Sequence, residues 1–196
     1  MLIVVRHGRT EANASGLLLG RRLDPGLDDL GRRQAAALAG VVAGAARVVT
    51  SPLRRARETA AALGLPVTVD DRWAEIDYGA FDGRPVAEVP QETWARWRAD
   101  LDFTPPGGES LRQLAARIRP ACEELLEEAA DHDVVVVTHV SPIKAAVAWA
   151  LGVGDDVAWR MFSAPASVTR IAAGRSGPSL HGYNDVAHLA GLRELG

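Results

Sequence analysis

Cysteine is almost absent from this 196-residue chain: Cys122 is the only one. One thiol can form neither an internal disulfide nor a cysteine-based zinc cluster. Lysine is equally scarce, with Lys144 alone among 22 basic residues. Codon bias of a GC-rich genome is the simpler reading of that scarcity, and arginine's planar recognition of anions is argued below only position by position. No apolar run approaches the roughly 20 residues of a membrane span. The opening run Leu2 to Val5 meets Arg6 at once, so no signal peptide is read there. Positive charge is not in excess either: the net charge is -3 and the pI about 6.0. Nothing global therefore points to nucleic acid or to an anionic membrane as partner. Linkers, repeats and low-complexity tracts are missing too. A chain that is 47% hydrophobic and 24% charged is expected to be one cytoplasmic domain over 1–196 with a sizeable core.

What is present is a recurring unit of apolar strand, polar loop and amphipathic helix. "LIVV" leads toward "LDDLGRRQAAALAGVVAG", "RVVT" into "SPLRRARETAAALG", and "DVVVVT" into "HVSPIKAAVAWALG". Uniformly apolar strands alternating with helices predict a three-layer α/β/α fold. The sheet is expected to be mostly parallel, with about six strands, one of them antiparallel. "SVTRIAA" and "SLHGYN" supply two of these strands. Ser51-Pro52 and Ser141-Pro142 fit helix starts, as N-cap and first helical residue. Ser110 and Gln113 fit a capping box ahead of a helix that Pro120 should kink. The segment 84–108 fits the sheet pattern least. It carries Trp94 and Trp97 between Pro- and Gly-bearing ends, as either a lid-like insertion or a surface helix with aromatic feet in the core.

Ligands bind outside the carboxyl ends of strands in open α/β sheets. Three predicted strands end in Arg6-His7, in Ser51 with Arg54, Arg55 and Arg57, and in His139. Parallel strands would align all three along one rim. Arginines at the start of a helix oppose its dipole, so an anion at that helix end explains at least one of them. Two histidines among guanidinium groups suit a phosphorylated ligand. A metal site is the competing reading, but cationic neighbours repel a divalent ion, and no metal is expected.

"VVRHGRTEAN", "TSPLRRARETA", "WAEIDYGAFDG", "PPGGESL" and "VVVVTHVSPI" follow one another in order from residue 3 onward. Together they resemble the signatures of the histidine phosphatase superfamily, the phosphoglycerate mutase and acid phosphatase group. "GLLLGRRLDPGLDDLGRRQA" adds to the match. "HVSPIK" and "NDVAHL" are similar to the small α-ribazole phosphatase-like branch of the vitamin B12 pathway.

The resemblance implies a phosphoglycerate mutase-like fold and phosphoryl transfer through His7. Covalent catalysis splits the transfer into two easier steps, and Arg6 next door should disfavour the imidazolium. Arg6, Arg55 and His139 match the phosphate pocket; Arg55 carries over because Ala56 follows it, whereas Arg54 and Arg57 do not. Asn13 matches a further phosphate contact. Glu75 matches the proton donor, since a carboxyl beside a phosphoryl dianion resists ionisation and can hold a proton for the leaving oxygen. Glu109 reads instead as a helix N-terminal carboxylate, Asp77 and Asp82 as structural or solvated, and His132, His181 and His188 as surface or satisfied groups. Val140 departs from the glycine that many members carry after the second histidine, which narrows the substrate-binding space there.

The implied activity is metal-independent hydrolysis of a small-molecule phosphate ester, with inorganic phosphate as product and no cofactor. α-Ribazole 5′-phosphate, a sugar phosphate or a phosphoglycerate derivative all fit. A cofactor-dependent phosphoglycerate mutase shares the catalytic set but carries a longer insertion than 84–108. An inactive phospho-ligand-binding relative would usually have lost one of the five Arg-His-Arg-Glu-His positions, and none is lost here.

Overall fold

The structure is a computed structural model that describes residues 1–175 and 177–195. Six strands form one sheet: β1 (Leu2–Arg6), β2 (Arg47–Thr50), β3 (Val67–Val69), β4 (Val134–Thr138), β5 (Val168–Gly174) and β6 (Gly177–Asp185), in the order β3-β2-β4-β1-β5-β6. β1 runs parallel to β4, in the register Leu2↔Val134 to Arg6↔Thr138. β2 is parallel to both β4 and β3. β5 pairs antiparallel with β1 and with β6, so it alone runs against the rest.

Among the described residues six α-helices accompany the sheet: α1 (Glu11–Ala14), α2 (Asp29–Val41), α3 (Arg54–Ala61), α4 (Gln91–Ala99), α5 (Leu111–Glu128) and α6 (Val140–Leu151). The central strands are apolar throughout because helices cover both faces. Leu2, Val4, Val134 and Val136 point to one side, with Leu114, Ile118 and Ile143 of α5 and α6. Ile3, Val5, Val135 and Val137 point to the other, with Leu38, Ala56 and Ala60 of α2 and α3. None of the described helices is long and apolar enough to cross a membrane.

Ser110 and Gln113 form the capping box of α5, with bonds of 3.1 and 2.9 Å, and the helix continues through Pro120 to Glu128. Two other helix starts differ from expectation. α3 begins at Arg54 with Leu53 as N-cap, while α6 begins at Val140 with His139 as N-cap. Both serines have other employment. Ser51 Oγ bonds His139 Nε2 at 2.7 Å and accepts from Leu53 N–H, and Ser141 gives its N–H to Glu75. In 84–108, α4 seats Trp97 fully inside the protein, stacked at 5.6 Å on Trp94 and edge-on at 5.7 Å to Tyr78.

Candidate active site

β1, β4 and β2 are neighbours and parallel, so their carboxyl ends share the middle of one rim. The ladder extends one step beyond each of two strands: His7 N–H donates to Thr138 O at 2.9 Å and Ser51 N–H to Val137 O at 3.0 Å. His7 and Ser51 are thereby fixed by backbone before their side chains make any contact, and His139 follows Thr138 at the end of β4. Gly8 must follow His7, because a Cβ there would lie 2.5 Å from the carbonyl oxygen of Gly31 at the start of α2.

The His7 and His139 rings are buried, with centroids 5.0 Å apart. His7 Nδ1 lies 2.7 Å from the Gly8 carbonyl oxygen. A carbonyl only accepts, so in the neutral ring Nδ1 carries the proton and Nε2 the free lone pair. Burial, then the charges of Arg55 and Arg6, hold His7 well below the usual histidine range. His139 is lowered by the same burial, followed by Arg55, His7 and Arg6. Arg6 disfavours the His7 imidazolium as expected, but desolvation leads and Arg55 outweighs Arg6.

Of the two guanidinium groups, Arg55 is fully enclosed and Arg6 is half-buried. Arg6 donates to Ser163 O at 2.6 Å, and its Nε is buried with no partner among the described residues. Burial lowers its pKa to about 10, against the opposing pull of Glu75. Arg55 is fully enclosed, donating to Gly20 O at 2.8 Å, with Asp24 no nearer than 3.8 Å and its own Nε also unpartnered. Asp82 holds the loop that presents Gly20, accepting from Gly20 N–H at 2.9 Å and Arg22 N–H at 2.7 Å. Arg54 faces outward and pairs with Glu58.

Glu75 reaches the same rim from the other side. Its Oε1 accepts from Ile76 N–H at 2.8 Å and Ser141 N–H at 3.1 Å, taking up a helix-end donor of α6 that has no partner within the helix. Asn13 sits at the third position of α1, where its Oδ1 accepts from Thr10 N–H and Oγ1 at 3.1 and 3.0 Å. Its amide NH2 is left out of that capping box. Val140 opens α6 and lines a cavity beside Glu75.

Sequence reasoning missed the support of Glu75. Arg21 Nε donates to the Glu75 carbonyl oxygen at 2.6 Å and Arg117 at 3.2 Å, and Glu109 bridges the two arginines at 2.7 to 2.9 Å. Glu109 is thus the centre of an ion-pair clamp and not merely a helix-end carboxylate. A glutamate flanked in sequence by neutral residues carries no signal of two arginines 88 and 8 positions away.

A wider depression of about 690 Å³ along Asp24, Pro52, Arg54, Arg57 and Glu58 contains neither histidine nor Glu75. Among the described residues, no group of three or more His, Cys, Asp or Glu side chains is placed to hold a metal ion.

A family model of the histidine phosphatase superfamily (branch 1) matches residues 2–186. The chain belongs to that superfamily. It is 40% identical over 178 residues to a bifunctional protein of Mycobacterium tuberculosis, covering 86% of this chain and 49% of that one. The chain thus spans about half the length of the first curated relatives it matches. It is also 40% identical over 171 residues to glucosyl-3-phosphoglycerate phosphatase of Mycolicibacterium vanbaalenii, covering 79% and 76% of the two chains. Among solved structures, mycobacterial glucosyl-3-phosphoglycerate phosphatase in complex with VO3 superposes with a TM-score of 0.85 at 32% identity, covering 94% and 99%.

Proposed function

We propose that this protein is a metal-independent phosphomonoesterase that hydrolyses a small phosphorylated metabolite through a phosphohistidine at His7. The observation that carries this reading is the pair of guanidinium groups of half-buried Arg6 and enclosed Arg55, each with a buried, unpartnered Nε beside two histidines held neutral. A buried cation whose one carboxylate lies as far off as 3.8 Å is poorly compensated. A phosphate ester satisfies both guanidinium groups with charge-assisted hydrogen bonds, and the same cations repel a divalent metal.

His7 Nε2 attacks phosphorus as the bond to the leaving oxygen breaks, and Glu75 gives its proton to that oxygen. Water then attacks the phosphohistidine while the Glu75 carboxylate takes its proton. The N–P bond breaks, releasing inorganic phosphate and neutral His7. Arg6, Arg55, His139 and the Asn13 amide hold the phosphoryl oxygens, and Val140 limits the space beside them. Residues 84–108 form a cover on this one domain, and the site of action is the cytoplasm.

The test is phosphate release from a panel of phosphomonoesters at pH 5 to 8 with a chelator present, comparing the native protein with His7→Ala. Turnover that survives chelation and disappears with His7 supports the route. Turnover that needs metal or persists without His7 overturns it.

A further inference from the structure

A cavity of about 200 Å³ opens next to Glu75. It shares two residues with the setting of that carboxylate: Ile76, which follows it, and Ser141, whose N–H binds Oε1. Tyr78, Trp94, Trp97 and Trp159 build aromatic walls, and Lys144, one turn into α6, supplies the only charge among the lining residues. The indole Nε1 groups of Trp97 and Trp159 are buried with no partner among the described residues. Lys144 is half-buried and pairs with no carboxylate within 4.0 Å among the described residues. The charges that act on it are those of Glu75 and Arg6, both already committed to the rim.

These walls offer one ammonium and aromatic faces, with no carboxylate among them. Such a surface repels cations and leaves its one ammonium without a close counter-ion until an anion enters. A single cation balances one negative charge, so a carboxylate suits it better than a second phosphate dianion. Tryptophan faces favour a flat or apolar body, and the volume lies below the roughly 300–1,000 Å³ of drug-sized pockets, which restricts that body to a small one.

Resting on the phosphatase reading above, we propose that this cavity is the leaving-group subsite, and that Lys144 selects phosphate esters whose apolar or aromatic body bears a carboxylate.

The test uses two matched esters, 3-carboxyphenyl phosphate and phenyl phosphate, with native protein, Lys144→Met and Lys144→Arg. Dividing one ester's kcat/KM by the other's, and comparing that ratio between proteins, cancels the intrinsic difference of the leaving groups. Lys144→Met should lower the carboxylate preference by about 10- to 100-fold, the scale of one charge-assisted hydrogen bond, mainly through KM. Lys144→Arg should restore most of it. Equal losses on both esters, or an unchanged ratio, would overturn the proposal. A second readout needs no turnover: titrating with benzoate should quench the cavity tryptophans in the native protein and do so far more weakly in Lys144→Met. If benzoate binds Lys144-dependently yet neither ester is hydrolysed, the subsite stands and the phosphatase reading falls. If both proteins bind benzoate alike, or neither does, the subsite falls whatever the catalysis shows.

Discussion

His7 and His139 face each other with ring centroids 5.0 Å apart and planes tilted by 57°, both enclosed and both beside Arg6 and Arg55. The pair is kept uncharged by burial and by surrounding positive charge, and that sets its response to pH. Below their unfolded value of about 6.5, the unfolded histidines bind protons that the folded ones refuse. Stability is therefore complete above about pH 6.5 and falls as pH drops below it, at about 1.4 kcal/mol per pH unit for each histidine. Denaturant melts at pH 7.5 and 5.5 should show this loss, and His139→Gln should reduce the slope. For the same reason kcat/KM should have no acid limb near pH 6.5 from His7, which a pH–rate profile checks.

Arg55 has its Nε unsatisfied and no close carboxylate, so its charge burdens the fold. Arg55→Met is expected to lower kcat/KM by about 10² to 10³, the cost of removing one donor to transition-state charge. The melting temperature should hold or rise, since replacing buried ionic groups by apolar ones is often neutral or stabilising. A large drop in both activity and melting temperature would show that Arg55 serves the fold first.

The Glu109 clamp is mostly enclosed, with side-chain exposures of 13% for Glu109, 18% for Arg117 and 34% for Arg21. Glu109→Gln removes the charge that aligns both arginines on the Glu75 carbonyl. Stability should fall by about 1–3 kcal/mol, below the range for fully buried pairs. The expected kinetic signature is a kcat loss larger than the KM change, because Glu75 is displaced while the phosphate contacts persist.

Gly8→Ala brings a Cβ to 2.5 Å from the Gly31 carbonyl oxygen. Gly8 cannot shift easily, as its N–H bonds Thr59 Oγ1 at 3.0 Å and its carbonyl oxygen orients His7. Overpacking of this kind costs about 1–3 kcal/mol. Activity should fall further than stability, and a chemical melt beside a rate assay separates the two.

The apolar strands were legible because burial on two faces leaves no alternation to misread, and "LIVV", "RVVT" and "DVVVVT" all became central strands. The alignment of Arg6-His7, Ser51 and His139 on one rim followed from their being parallel. β3 was less readable, since Val67, Thr68 and Val69 form a short edge strand with every side chain exposed. Ser51 and Ser141 looked like helix caps because local pattern cannot register a partner elsewhere in the chain. Their actual partners, His139 and Glu75, lie 88 and 66 residues away. Arg21 and Arg117 were hidden for the same reason: both meet the Glu75 carbonyl, a backbone atom that has no residue type to signal it.

β1 is the first strand of the chain, yet its sheet neighbours are β4 and β5, which begin at Val134 and Val168. On a ribosome adding about 5–20 residues per second, the segment bearing His7 waits on the order of ten seconds or more before either flank exists. During that interval Leu2 to Val5 is an unsheltered β-forming run, the kind of segment that aggregates or recruits a chaperone. The centre of the finished sheet thus waits for strands made more than a hundred residues later, and the rim that carries His7 and His139 cannot form before them.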